Sequence, residues 1–201
     1  MTDNITITQG SGTNVATDDV SGVHYQRVKL VDGTLDNSTG IPGDAAGLRI
    51  KGNGISSTQT LTVTNGAYSV ADVVGGLITF TNAVSANGKH AIINSVKLAG
   101  VVAIPYELWF FQSDIATPRA DNAVFGLAAG DGAIFLGAIP ITAVDYLAAQ
   151  TSFNNATVRG VGLEIQAGAS TTSIYAYLKA TATTSPGTTT LYLTVDFEQI
   201  D

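Results

Sequence analysis

Residues 174–197 read IYAYLKATATTSPGTTTLYLTVDF, two runs rich in aromatic and β-branched residues on either side of a Ser-Pro-Gly turn. In the second run Leu191, Leu193, Val195 and Phe197 fall on one side of an extended chain, and Tyr192, Thr194, Asp196 and Glu198 on the other, because successive side chains of a strand point to opposite faces. One face of such a strand is core, and the other meets water or a partner. Ser185, Pro186 and Gly187 suit a tight connection, which predicts that the two runs close a hairpin.

The same texture of short apolar runs between turn signals extends back to Tyr68. Strands are predicted at 59–64 (QTLTVT), 76–81 (GLITFT), 91–98, 104–111, 133–139, 157–166, 172–179 and 189–197. Asn65-Gly66 and Asn87-Gly88 supply residues that tolerate positive φ, and Asp131-Gly132 leads into the fifth strand. Two stretches, 121–129 (DNAVFGLAA) and 142–149 (TAVDYLAA), each begin with an N-cap type residue and are read as short helical crossovers. The fold expected is all-β, a jelly-roll-like β-sandwich of about eight antiparallel strands at 67–201, preceded by an extended N-terminal arm at 1–66.

That arm is rich in Gly, Thr and Asn, with short strand candidates at 5–8, 23–31 and 48–51. It holds too few large apolar side chains to close a core of its own, so its order is expected to come from its own body, a sister subunit or a larger assembly. Within it, DDVSGVHYQRVKLVDG at 18–33 places His24, Arg27 and Lys29 on a strand-like run.

Composition removes several classes of function. The chain of 201 residues is 45% hydrophobic but only 12% charged, about half the usual ~25%, so much of its surface must be neutral and suited to packing against protein. A net charge of −7 with scattered Lys and Arg argues against a nucleic-acid partner, which needs clustered cations. The absence of Cys removes disulfides and thiolate chemistry. No apolar run approaches the ~20 residues that span a bilayer, and MTDNITITQG has neither a basic nor an apolar leader segment, so no membrane partner is expected and synthesis is placed in the cytoplasm.

Candidate chemistry is sparse. His24 and His90 stand far apart with no nearby second ligand, and no G-x-S-x-G elbow exposes a nucleophile. Glu107 beside Trp109, together with Glu164, offers acids for a glycosidase, although a Glu on the wet face of a strand explains each as well. Asp196 and Glu198 read as the exposed face of the last strand, and Gly130-Asp131-Gly132 is a one-acid loop for a hard cation. GSG at 10–12 and GNG at 52–54 lack the strand-to-helix context of a phosphate cradle. No catalytic residue, cofactor or metal is assigned.

The run AYSVADVVGGLITFTNAVSANGKHAIINSVKLAG at 67–100, the WFF strand, DIATPRADNAVFGLAAGDGAIFLGAIPI and ATVRGVGLEIQAGASTTSIYAYLKA together resemble a recurrent group of tailed-phage virion proteins. The matching positions are Tyr68, Asp72, Gly75, Gly76, Ile93, Ser95, Val96, Leu98, Asp121, Asn122, Ala123, Gly137, Tyr175, Ala176 and Leu178. The strand IPYELWFF departs from the pattern, its aromatic-Asp pair being spaced out to Phe111 and Asp114. The resemblance implies a non-enzymatic structural protein of a bacteriophage virion, a capsid decoration (cement) protein at the capsid surface whose partner is the major capsid protein.

Attachment around a symmetry axis would multiply weak contacts, so a homotrimer is expected, with a dimer as the alternative. Val23, His24, Tyr25, Arg27 and Lys29 are the contact residues expected to add a strand to a neighbour, against pairing within their own subunit. The competing function is a tail or fibre module that binds host glycan through Tyr106, Trp109 and Tyr175.

Overall fold

The structure is a computed structural model that describes residues 17–20, 23–26, 54–150 and 153–200. The chain divides into two compact units, 1–51 and 52–201.

In the first unit β1 (Thr17–Val20) pairs antiparallel with β2 (Val23–Gln26), setting Asp18 opposite Tyr25, Asp19 opposite His24 and Val20 opposite Val23. The strand candidates at 5–8 and 48–51 lie outside the described residues.

Among the described residues the second unit holds nine strands: β3 (Gly54–Thr62), β4 (Val73–Phe80), β5 (His90–Gly100), β6 (Tyr106–Phe111), β7 (Phe135–Ile141), β8 (Tyr146–Gln150), β9 (Phe153–Gln166), β10 (Ile174–Ala180) and β11 (Thr190–Ile200). They form two antiparallel sheets, β4-β10-β6-β7 and β3-β11-β5-β9-β8, packed face to face as an all-β sandwich. All eight strands expected between 59 and 197 are present within a few residues of their expected bounds.

Three expectations are corrected. The body begins before 66, because β3 pairs with β11 from Gly54 opposite Glu198 to Thr62 opposite Thr190, which makes residues 54–62 part of the five-stranded sheet rather than of an arm. β10 and β11 do not form a hairpin: they belong to different sheets, and residues 181–189 carry the chain from one layer to the other. The expected helices are not formed: residues 121–128 make a turn and a bridge of Val124 to Asp72, followed by a 3₁₀ turn at Ala129–Ala133, and within 142–149 only Ala143–Asp145 is a 3₁₀ turn, leading directly into β8. Asp121 does not cap a helix, since its carboxylate is engaged by distant N–H groups. Asp145 closes its turn by accepting from Thr142 N–H at 2.7 Å and its hydroxyl at 2.8 Å, after which Tyr146 enters β8 with its hydroxyl donating to the Ile104 carbonyl at 2.7 Å.

The core between the sheets follows from alternation. Leu191, Leu193, Val195 and Phe197 all face inward, meeting Ile78, Phe80, Leu108, Phe110, Ala176 and Leu178 from the opposite sheet. Phe80 stacks edge-on against Phe197 at 5.4 Å and lies 6.2 Å from Phe110, an aromatic junction across both layers. Gly137 allows a close approach here: its φ is +148°, and an added Cβ would sit 2.8 Å from Leu163 Cδ1.

A second, smaller cluster sits on the other side of the four-stranded sheet. Val73, Phe111 and Tyr177 point outward and are covered by Ile115, Phe125 and Ile134. The crossover of residues 112–134 therefore packs as a lid on this face and is not a loose loop.

Candidate functional site

Most of the positions that carry the resemblance near Tyr68 and Asp121 converge on one hydrogen-bonded clasp. Asp121 Oδ2 accepts from Thr64 N–H at 2.8 Å and from the Thr64 hydroxyl at 2.6 Å. Its Oδ1 accepts from the Tyr68 hydroxyl at 2.6 Å and from Gly75 N–H at 2.7 Å. The Tyr68 oxygen also accepts from Thr64 N–H at 2.8 Å. Burial works to raise the Asp121 carboxyl, but the hydrogen bonds from Thr64, Tyr68 and Gly75 outweigh it and hold the group below its ordinary range. Burial and the adjoining Asp121 carboxylate push the Tyr68 phenol upward.

Around the clasp, Asp72 accepts from Ser69 N–H at 2.6 Å, Val73 N–H donates to the Ala123 carbonyl at 2.8 Å and Asn122 N–H to the Val73 carbonyl at 2.8 Å. Gly75 and Gly76 have φ of +80° and +73°, and a Cβ on Gly75 would lie 2.9 Å from Leu61 Cβ. These residues tie the lid to the β3–β4 connection. Both Asp121 oxygens are occupied by fixed donors, so the arrangement is a fastener and not a proton-transfer site.

Glu107, Trp109 and Lys179 make a second group on the outward face of the four-stranded sheet. Glu107 Oε2 accepts from Lys179 Nζ at 2.6 Å and from the indole N–H at 2.9 Å, while Lys179 Nζ stands 4.8 Å from the centroid of the Trp109 ring. The Lys179 hydrogen bond, helped by that of Trp109, lowers the Glu107 carboxyl, which suits a fixed anion and not a general acid. Replacing Lys179 by Met is expected to move the Glu107 titration upward, read by carboxyl-carbon NMR; an unmoved titration would contradict the assigned cause.

The acids and rings weighed for sugar chemistry are not gathered. Glu164 lies on β9 in the other sheet, where it pairs with His90 Nδ1 at 2.9 Å. Tyr106 is 3% exposed in the inter-sheet core, whereas Trp109 and Tyr175 pack against the outer cluster, so the three rings proposed for glycan do not share a face. Trp109 is already packed at 5.3 Å from Phe125 and 4.9 Å from Phe135. Asp131, in the one-acid loop, is buried and accepts from Ala116 N–H at 2.9 Å and Ala128 N–H at 2.7 Å.

Asp196 lies on the outward face of the five-stranded sheet, accepting from the Ser95 hydroxyl and from Lys97 Nζ at 3.1 Å. Burial opposes its ionisation, but hydrogen bonds from Ser56, Ser95 and Lys97 outweigh it and lower the carboxyl. Asn94 donates to Glu198 at 3.1 Å. Beyond these pairs a neutral row crosses all five strands: Tyr192 is paired with Thr60 and Ala99, Ala99 with Asn155, and Asn155 with Leu147. Tyr192 is 50% exposed, Leu147 71% and the adjoining Phe153 47%.

Of the contact residues expected in the arm, Val23, His24 and Tyr25 lie in β2, whose partner among the described residues is β1 of the same chain; Arg27 and Lys29 lie outside the described residues. No family model and no curated protein matches this chain.

The neutral row was missed in the sequence. The alternation of β11 places only Tyr192 on an outward face, and the signal for the others, one uncharged residue on each of four further strands, acquires meaning only when the register is known.

Proposed function

We propose that the chain is a non-enzymatic structural protein of a bacteriophage virion, a decoration protein that binds the outer capsid surface and stabilises the shell. The observation that supports this most is the division of polar chemistry. Asp121, Asp131 and Glu107 are committed to internal donors, while the row Thr60, Tyr192, Ala99, Asn155 and Leu147, in which Thr60, Tyr192 and Leu147 are exposed and Ala99 and Asn155 half-buried, is uncharged and mixes aromatic, hydroxyl, amide and aliphatic groups. Protein interfaces favour such a surface, with aromatic residues enriched and charge depleted at the centre.

The strand pairing supports a jelly roll. β3 pairs with β11, β4 with β10, β5 with β9 and β6 with β7, a nested series in which one long antiparallel ribbon folds over into two layers. β8 is an added edge strand beside β9. In this reading the major capsid protein meets the sheet face, homotrimeric association multiplies the contact, and Val23, His24 and Tyr25, with Arg27 and Lys29, add a strand to a neighbour through the edge that β1 does not use.

The test is co-sedimentation with shells assembled from the major capsid protein of the same virion, comparing the full chain with a deletion of residues 1–35. The deletion leaves all nine body strands intact in sequence and is expected to fold, with the fluorescence of its single Trp unchanged, but to lose shell binding. Equal sedimentation of both forms would remove the arm from the mechanism, and failure of both to sediment would remove the capsid.

A further inference from the structure

We propose that Asn65–Gly66 is a self-modifying site, at which the backbone nitrogen of Gly66 closes on the Asn65 side chain and converts the amide to aspartate or isoaspartate. In the step, Gly66 N loses its proton to hydroxide and attacks Asn65 Cγ. The N–Cγ bond forms, water returns a proton to Nδ2 as the Cγ–Nδ2 bond breaks, ammonia leaves, hydroxide is regenerated and a five-membered succinimide remains. Water then opens the ring: addition at Cγ gives aspartate, and addition at the main-chain carbonyl gives isoaspartate, in which the backbone runs through Cβ and Cγ.

The reaction is fastest with a glycine on the C-terminal side, because a side chain there crowds the attacking nitrogen, and it requires that nitrogen to be free to turn. Among the described residues two Asn-Gly pairs meet the first condition, Asn65–Gly66 and Asn87–Gly88; a third, Asn53–Gly54, begins at a residue outside them. Both asparagines are exposed and both glycines half-buried, so access to water does not separate them. Hydrogen bonding does. Gly88 N–H donates to the Gly168 carbonyl at 3.0 Å, its own carbonyl accepts from Gln166 Nε2 at 3.1 Å, and Lys89 N–H closes the turn on Ala86 at 3.1 Å. Attack at Asn87 must first break these bonds.

At 65–67, by contrast, none of the three backbone N–H groups has an acceptor among the described residues, while the flanking posts are fixed: Thr64 N–H on Asp121 at 2.8 Å and Tyr68 N–H on the Thr184 carbonyl at 2.8 Å. Residues 65–67 thus run between two anchored ends.

Its position gives the modification a consequence. Isoaspartate lengthens the main chain by one carbon between Thr64 and Tyr68, two of the three residues that hold Asp121, and either product adds a carboxylate next to a residue whose N–H and hydroxyl already face one. The clasp is expected to loosen with age of the protein.

The full chain is incubated at mildly alkaline pH and body temperature, then cleaved and mapped by mass spectrometry with fragmentation that separates isoaspartate from aspartate. Conversion at residue 65 is expected to run at least about fivefold faster than at residue 87, the factor that one net backbone hydrogen bond is worth. In denatured chain the two sites are expected to react at similar rates. A rate at 87 equal to or above that at 65, or an intact residue 65 over a period in which the denatured chain reacts, would overturn the proposal. Gly66→Ala is expected to suppress conversion at 65 alone, and Asn65→Asp, which adds the charge without the extra carbon, to lower the melting temperature less than the isoaspartate form does.

Discussion

Asp121→Ala is expected to destabilise the protein by about 3 kcal/mol, because the buried hydroxyl of Tyr68 and the N–H groups of Thr64 and Gly75 lose a charged acceptor together. For a chain of this size that corresponds to a melting temperature lower by roughly 6–12 °C. The pH dependence carries a sign. The folded Asp121 carboxyl lies below its ordinary value, so its stabilisation is complete above the unfolded value of about 3.9 and is lost as pH falls through the folded one. The gap between wild type and Asp121→Ala should be constant near neutrality and close in acid. Urea titrations at neutral pH and in steps below pH 4 measure this. A gap under about 1 kcal/mol, or one that widens in acid, would show that the clasp does not hold the lid.

Phe197→Ala is expected to cost more, about 4 kcal/mol, within the range for deleting a buried aromatic ring. Phe197 belongs to the five-stranded sheet, yet it stacks on Phe80 of the other sheet at 5.4 Å, and Phe80 in turn lies 6.2 Å from Phe110. All three rings are fully buried, so the change leaves a cavity between the layers which no single strand can close. The melting temperature should fall by about 12 °C. Tyr192→Ala, on the same strand but outward and 50% exposed, should shift it far less. Comparable losses for the two would contradict the assignment of faces along β11.

The two substitutions also separate what was legible in the sequence from what was not. The alternation of Leu191, Leu193, Val195 and Phe197 against Tyr192, Thr194, Asp196 and Glu198 is reproduced in the buried and exposed faces of β11. The clasp residues were visible as a pattern, but their purpose was not. Asp121 accepts from residues 46 and 57 positions away, and no local rule connects an acid in one crossover with a glycine amide in β4. For the same reason 121–129 invited a helix: an Asp at its start normally caps the N–H groups of its own first turn, and here more distant donors take it. β8 was missed because TAVDYLAA carries no strand alternation; Tyr146 is drawn into the sheet by a hydrogen bond to Ile104, 42 positions away.

The sequence by itself determined that this chain is all-β, where eight of its nine body strands lie, and, along β11, which side chains meet the core, since period-two burial is a property of a strand alone. Only the tertiary structure decided which strand lies beside which. The Ser-Pro-Gly turn within 174–197 bends the chain whether the next strand joins the same sheet or the opposite one, and the choice falls to long-range packing. β11 leaves β10 because its apolar face is buried against β10's sheet and its edges are taken by β3 and β5.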